Sequence, residues 1–238
     1  MVVGIAVDKS ASANLTSKKD LKVLLPDEQV RELARDSLVA EWEQGVRITE
    51  EDKDVGLSDS RGDAIDMSVD LASFHGRSVA PLIQPTHVQR LWTLDIEGMP
   101  LQLAGTIDIQ EGLKSILDTK TSGKSPVKTL ADTSLQLTTY ALAVLAHDGA
   151  LPETVGLDYC VRTPKKHECK YVPLRSKRTT EDMAPLLARI AQAERAIRSG
   201  IFTPAPADAW WCSSRWCPYH DGQCKYAVRP VSVAVQSE

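Results

Sequence analysis

Two neighbouring stretches, LAGTIDIQ (residues 103–110) and SILDTKT (residues 115–121), decide how this chain is read. Both are short, rich in Ile and Leu, and bounded by the turn signals Glu97-Gly98 and Glu111-Gly112, so they predict strands joined by a tight turn. With Val88–Ile96 before them they predict a three-stranded meander, over Val88–Ile96, Leu101–Gln110 and Ser115–Lys120. Asp is depleted from strands, and the flanking Leu103, Ile107, Ile109, Ile116 and Leu117 predict burial. A carboxylate there is costly unless it is paired or binds a cation. Alternation puts Asp118 and Lys120 on one strand face, and an aligned hairpin partner brings Asp108 to them.

Two carboxylates and an ammonium at one point suit metal-assisted phosphodiester hydrolysis. Carboxylate oxygens hold Mg²⁺ or Mn²⁺, the ion polarises the phosphate and acidifies a bound water, and the lysine orients that water or steadies the developing charge. Taken alone, the Asp-x-Lys tripeptide reads as a buried salt bridge.

Outward from this centre, the periodicity predicts a helix over Pro26–Gly45, with Val30, Leu33, Ala34, Leu38 and Trp42 on one face. The acidic run between Arg47 and Asp63 reads as a loop before a second helix from about Ala64 to His75. A buried helix is expected over Leu130–His147, stopped by Asp148-Gly149. Strands over Val155–Arg162 and His167–Val172 follow, joined by the TPKK turn. A helix after Thr180 carries Leu186, Leu187, Ile190, Ala193 and Ile197 on one face, with Gly200 as its stop. This order gives a single α/β domain, a mixed central sheet flanked by helices. Residues 1–80 form its helical part, 86–200 its core, and 201–238 a tail rich in Cys and Trp.

The 238 residues, net charge -4, 42% hydrophobic and 25% charged content place the chain among globular proteins rather than disordered or fibrous ones. No apolar run approaches a membrane helix and no secretory leader is visible, so an intracellular, cytoplasmic protein is expected. The acidic total weighs against nucleic acid, but its distribution does not. From Val161 to Arg178 seven basic residues face Glu168 alone, and Lys124 and Lys128 follow the Asp-x-Lys strand. Such a segment is a solvated face or, beside a nuclease site, a clamp on phosphates. The tail holds Trp210, Trp211, Trp216, Tyr219 and Tyr226, five of twelve aromatic residues. Its tryptophans either stack on single-stranded bases or pack around the cysteines. Those cysteines, Cys212, Cys217 and Cys224, are laid out for metal ligation rather than for disulfides, and His220 completes a four-ligand set suited to Zn²⁺. His75 and His87 read as structural.

GTID ten residues before DTK, with Gln136 and Tyr140 in QLTTY beyond, resembles the PD-(D/E)XK nuclease superfamily and its RecB-like branch. That branch includes phage recombination exonucleases and CRISPR-associated adaptation nucleases. The resemblance implies a restriction-endonuclease-like core in which Asp108, Asp118 and Lys120 bind metal and catalyse, and Gln136 and Tyr140, one helical turn apart, lie near the DNA backbone. GIAVD at the start resembles the family's first motif, G-x-A-x-H, with Asp8 where the family has its metal-reaching histidine. Asp8 is a hard-oxygen ligand suited to Mg²⁺ or Mn²⁺, or else a solvated aspartate. The tail resembles the cysteine cluster of members holding a [4Fe-4S] centre, whose fourth cysteine comes from near the N-terminus. No cysteine here precedes Cys160, so that ligand is different or missing, with Cys160 and Cys169 as candidates. The tail then reads as the remnant or altered form of a staple whose other half would precede residue 1. The expected activity is that of a metal-dependent DNase, an exonuclease of recombination, repair or phage DNA metabolism. The alternative is a catalytically weak nucleic-acid-binding subunit working with a recombination or adaptation partner.

Overall fold

Apolar alternation and turn chemistry divide the chain into five strands and five long helices among the residues described by the computed structural model, which are 2–46, 57–163, 167–206, 209, 211–213, 216–217, 219–220, 224 and 226. Helices α1 (Val2–Leu21), α2 (Asp27–Glu43) and α3 (Leu57–Phe74) come first. A π-turn (His75–Val79) and a 3₁₀ turn (Ala80–Leu82) lead to strands β1 (His87–Leu94), β2 (Leu103–Glu111) and β3 (Ser115–Ser122). Helix α4 (Leu135–Asp148), strands β4 (Thr154–Arg162) and β5 (Cys169–Ser176), and helix α5 (Met183–Arg198) complete the order.

The strands form one mixed sheet in sequence order, antiparallel except where β3 and β4 run parallel across the α4 crossover. Helix α4 is placed by its ends. Ser134 caps it by accepting from Leu137 N at 3.3 Å, and Gly149 closes it at φ 80, a conformation open to glycine. Its apolar face meets Trp92, Ile107, Ile116, Val155 and Leu157 on one side of the sheet. The other side packs Ile109, Leu117 and Cys160 against Val7 and Leu15 of α1 and Leu71 of α3. Helix α2 lies outside these two, with Val30 and Ala34 against Ala72. Each fully buried Leu or Ile contributes about 1.5–3 kcal/mol, so both faces hold the sheet strongly.

Several expectations need correction. Helix α3 starts at Leu57 rather than Ala64; Asp59 and Asp63 lie on a helix, whose exposed face tolerates charge. Residues 47–56 of the expected loop, and Pro164–Lys166 of the TPKK turn, lie outside the described residues. Helix α4 begins five residues later than expected, leaving Leu130 in the preceding turns. Helix α5 buries Met183, Leu186 and Glu194 and half-buries Leu187 and Ile190, while Ala193 and Ile197 are exposed, so the expected apolar face points inward only in its first half. No helix among the described residues is long and apolar enough to cross a membrane.

Candidate active site

The site lies where β2 and β3 part. Their ladder runs only from Glu111–Ser115 to Ile109–Leu117, whereas β2 stays paired with β1 as far as Leu103. One step beyond the last pair, Asp108 and Asp118 face each other across the fork. Asp108 Oδ2 accepts from Thr119 N at 3.3 Å, which holds its carboxylate toward β3. Trp92 explains the glycine of GTID, because a Cβ on Gly105 would stand 2.6 Å from the indole ring.

Asp118 is 1% exposed, with a hydrogen bond on one oxygen and an ion pair, without hydrogen-bond geometry, at the other. Lys120 Nζ lies 2.6 Å from Oδ2, and Gln136 Nε2 donates to Oδ1 at 2.8 Å. The same Gln136 amide reaches Tyr140 Oη at 2.8 Å. Gln136 thus ties Asp118 to Tyr140; Gln136 and Tyr140 are the pair for which the resemblance implies DNA contacts, and burial pushes the Tyr140 hydroxyl up to about 12. Asp8 reaches the site from α1, and Gln89 of β1 donates to both of its oxygens at 3.3 Å.

Crowding of acids dominates the electrostatics. Burial, then the charges of Asp118 and Asp8, raises Asp108 to about 7. Burial also raises Asp118, opposed by Lys120, and raises Asp8, with Asp118 adding to the shift. Burial beside like charge disfavours two ionised carboxylates at this point. Hard oxygen donors in that condition fit a divalent cation, whose charge would offset theirs. Among the described residues no three His, Cys, Asp or Glu side chains are already gathered as a metal-holding group. Lys120 and Gln136 occupy the Asp118 oxygens instead.

Lys124 and Lys128 are exposed on the loop leading from β3 to α4. The basic segment is less available than its composition suggests. Arg162 pairs with Asp70 at 2.9 Å, Arg175 with Asp158 at 2.6 Å, and buried Arg178 donates to the carbonyls of Ala131 and Ser134. Lys170 and Lys177 remain exposed, while Lys165 and Lys166 lie outside the described residues. His75 is fully buried and held down to about 4, while His87 is exposed and meets Thr86 Oγ1 through Nδ1 at 3.2 Å.

In the tail, Cys212, Cys217, His220 and Cys224 follow a chain of turns that includes Cys217 N to Ser213 O and Cys224 N to Tyr219 O. Cys160 is buried against α3 with its thiol pushed up to about 12, and Cys169 points to Asp70 O, so both belong to the core. Trp211 and Trp216 are half exposed rather than packed away, and Trp210 lies outside the described residues. Two residues that sequence reading passed over matter here. Gln89 holds Asp8, and Arg178 fixes the loop that precedes Gln136.

No curated protein matches the sequence. Among solved structures, a candidate exonuclease from Eubacterium rectale aligns over 95% of this chain and 92% of its own, at 10% identity and TM-score 0.48. The protein SSO0001 aligns over 96% and 84%, at 13% identity and TM-score 0.42. The profile of one family spans residues 9–224, which contain the fork, the Asp-x-Lys strand and the helix of Gln136 and Tyr140. The chain belongs to the PD-(D/E)XK nuclease superfamily.

Proposed function

We propose that the chain is a Mg²⁺- or Mn²⁺-dependent deoxyribonuclease, an exonuclease serving recombination, repair or phage DNA metabolism. Superfamily membership supports phosphodiester hydrolysis. The observation that carries the metal dependence is the pair Asp108 and Asp118 facing each other at the fork, with Lys120 on Asp118. Asp108 and Asp118, with Asp8 beside them, would hold the ion. Bound there, it would supply phosphate polarisation and a more acidic water.

Lys120 holds the ammonium that steadies charge on the scissile phosphate and orients the attacking water. Gln136 keeps the Asp118 carboxylate turned toward the fork, with Tyr140 as its second anchor. Lys124 and Lys128 give the backbone of a nucleic acid two exposed cations without reading its sequence. The exonuclease assignment rests on the RecB-like pattern of motifs.

Digestion of end-labelled single- and double-stranded DNA with Mg²⁺ or Mn²⁺ tests the proposal. Asp118→Ala and Lys120→Ala should each remove metal-dependent degradation while circular dichroism stays that of the native fold. Retained cleavage in both overturns it. Asp8 in the histidine position favours the second reading, a nucleic-acid-binding subunit with weak catalysis. Tight metal-independent DNA binding without turnover would select that reading.

A further inference from the structure

We infer that Gln89 is a positioning residue that presents the Asp8 carboxylate to the metal site, an inference that rests on the nuclease centre proposed above. Three residues other than glycine have positive φ among those described: Lys22, Gln89 and His167. Lys22 follows the end of α1 and His167 lies in the connection before β5, where such conformations are common. Gln89, at φ 51, lies inside β1. A long side chain in the left-handed region costs about 1 kcal/mol or more, and the conformation persists only where the surroundings impose it.

The surroundings here are the site itself. The β1–β2 ladder pairs Val88 with Ile109 and Arg90 with Ile107, and skips the step at which Gln89 would pair with Asp108. Gln89, Asp108 and Asp118 therefore share one row across the sheet. From that row Gln89 Nε2 reaches both oxygens of Asp8 at 3.3 Å and Ser12 Oγ at 3.0 Å. Asp8 and Ser12 are one helical turn apart on α1, so the amide sits in the notch between them.

The chemistry suits the task. An ionised carboxylate only accepts hydrogen bonds, so an NH₂ group fixes its orientation. An amide does this without a positive charge, and so leaves the carboxylate's attraction for a cation intact. A Lys or Arg at the same place would neutralise Asp8 and repel the ion. Groups that orient a metal's carboxylate ligand typically govern affinity by about 10- to 100-fold.

The test is Mn²⁺ titration of the full chain without nucleic acid, by calorimetry, alongside thermal melting. Gln89→Gly removes the side chain and suits the positive φ, so it should weaken Mn²⁺ binding by about 10-fold or more while the metal-free melting temperature holds or rises. In an Asp8→Asn background the same change should have no further effect on Mn²⁺, because the residue acts through Asp8. A Kd within twofold of the parent overturns the inference. So does equal weakening with and without Asp8, which would mark a packing role. If the parent binds Mn²⁺ with no dependence on Asp118, the nuclease-centre reading fails and takes this one with it. If binding depends on Asp118 but not on Gln89, this one alone fails.

Discussion

Asp118 and Asp158 lie one register step apart on the parallel strands β3 and β4, on opposite faces of the sheet. Both are buried, both are raised by burial, and each meets a basic side chain at 2.6 Å. Their company differs. Arg175 comes to Asp158 from the neighbouring strand, over Gly156, where a Cβ would stand 2.7 Å from Nη1. Tyr171 Oη donates to the same carboxylate at 2.8 Å, and among the described residues the second acid that bears on it, Glu111, acts only through its charge. That network joins β4 to β5. Asp118 is surrounded by Asp108 and Asp8, so its site has an excess of negative charge that one lysine does not balance. A buried acid with a matched cation acts as a bridge between strands, whereas a buried acid among acids is a place for a cation to bind.

The largest expected difference is catalytic. Asp118→Asn should lower metal-dependent hydrolysis about 1,000-fold or more, and should raise thermal stability, since a neutral isostere replaces a crowded carboxylate. Equal activity in wild type and variant would erase the contrast.

Next comes pH. Asp108 is raised to about 7 from 3.8, so its proton stabilises the metal-free fold below about pH 4, and that contribution is lost as pH rises through about 7. Melting of the metal-free protein from pH 4 to 8 should show this decline, and Asp108→Asn should flatten it relative to wild type. Saturating Mn²⁺ at pH 8 should restore stability to wild type and much less to the variant.

On the other face, Asp158→Ala should cost about 3 kcal/mol in urea unfolding, the lower end for a broken buried pair because Arg175 can turn to water. Activity per folded molecule should stay near that of wild type. A variant as stable as wild type would show that the Asp158 network is not a bridge. The smallest effect is expected at Gly105, where Ala should cost about 1–3 kcal/mol by displacing Trp92. The check is a lower urea midpoint with unchanged slope.

Much of this contrast can be read from sequence on one face only. Short apolar runs between Glu97-Gly98, Glu111-Gly112 and Asp148-Gly149 locate the strands and the crossover helix, because turn chemistry is local. Alternation likewise brings Asp118 and Lys120 to one face. Partners distant in sequence are not legible this way. Arg162 pairs with Asp70 and Arg178 with the Ala131 and Ser134 carbonyls, so a basic run that reads as a phosphate clamp is partly internal structure. Gln89 gives no composition signal, because its role depends on a backbone conformation and on a helix about 80 residues away. The start of α3 is missed because Asp59, Gly62 and Asp63 suggest a loop, although an exposed helix face accepts all three. The C-terminal half of the inward face of α5 is missed because apolar counting cannot anticipate a buried Glu194, which Arg198 meets at 3.5 Å.

The most direct measurement is the Mn²⁺-dependent digestion rate of end-labelled linear DNA at 25 °C, with Asp118→Asn and Asp158→Ala compared side by side. The expected result is no cleavage above background for Asp118→Asn and a rate within a few-fold of wild type for Asp158→Ala. Retained cleavage in Asp118→Asn, or equal loss in both, would contradict the assignment of metal-dependent hydrolysis to the fork between β2 and β3.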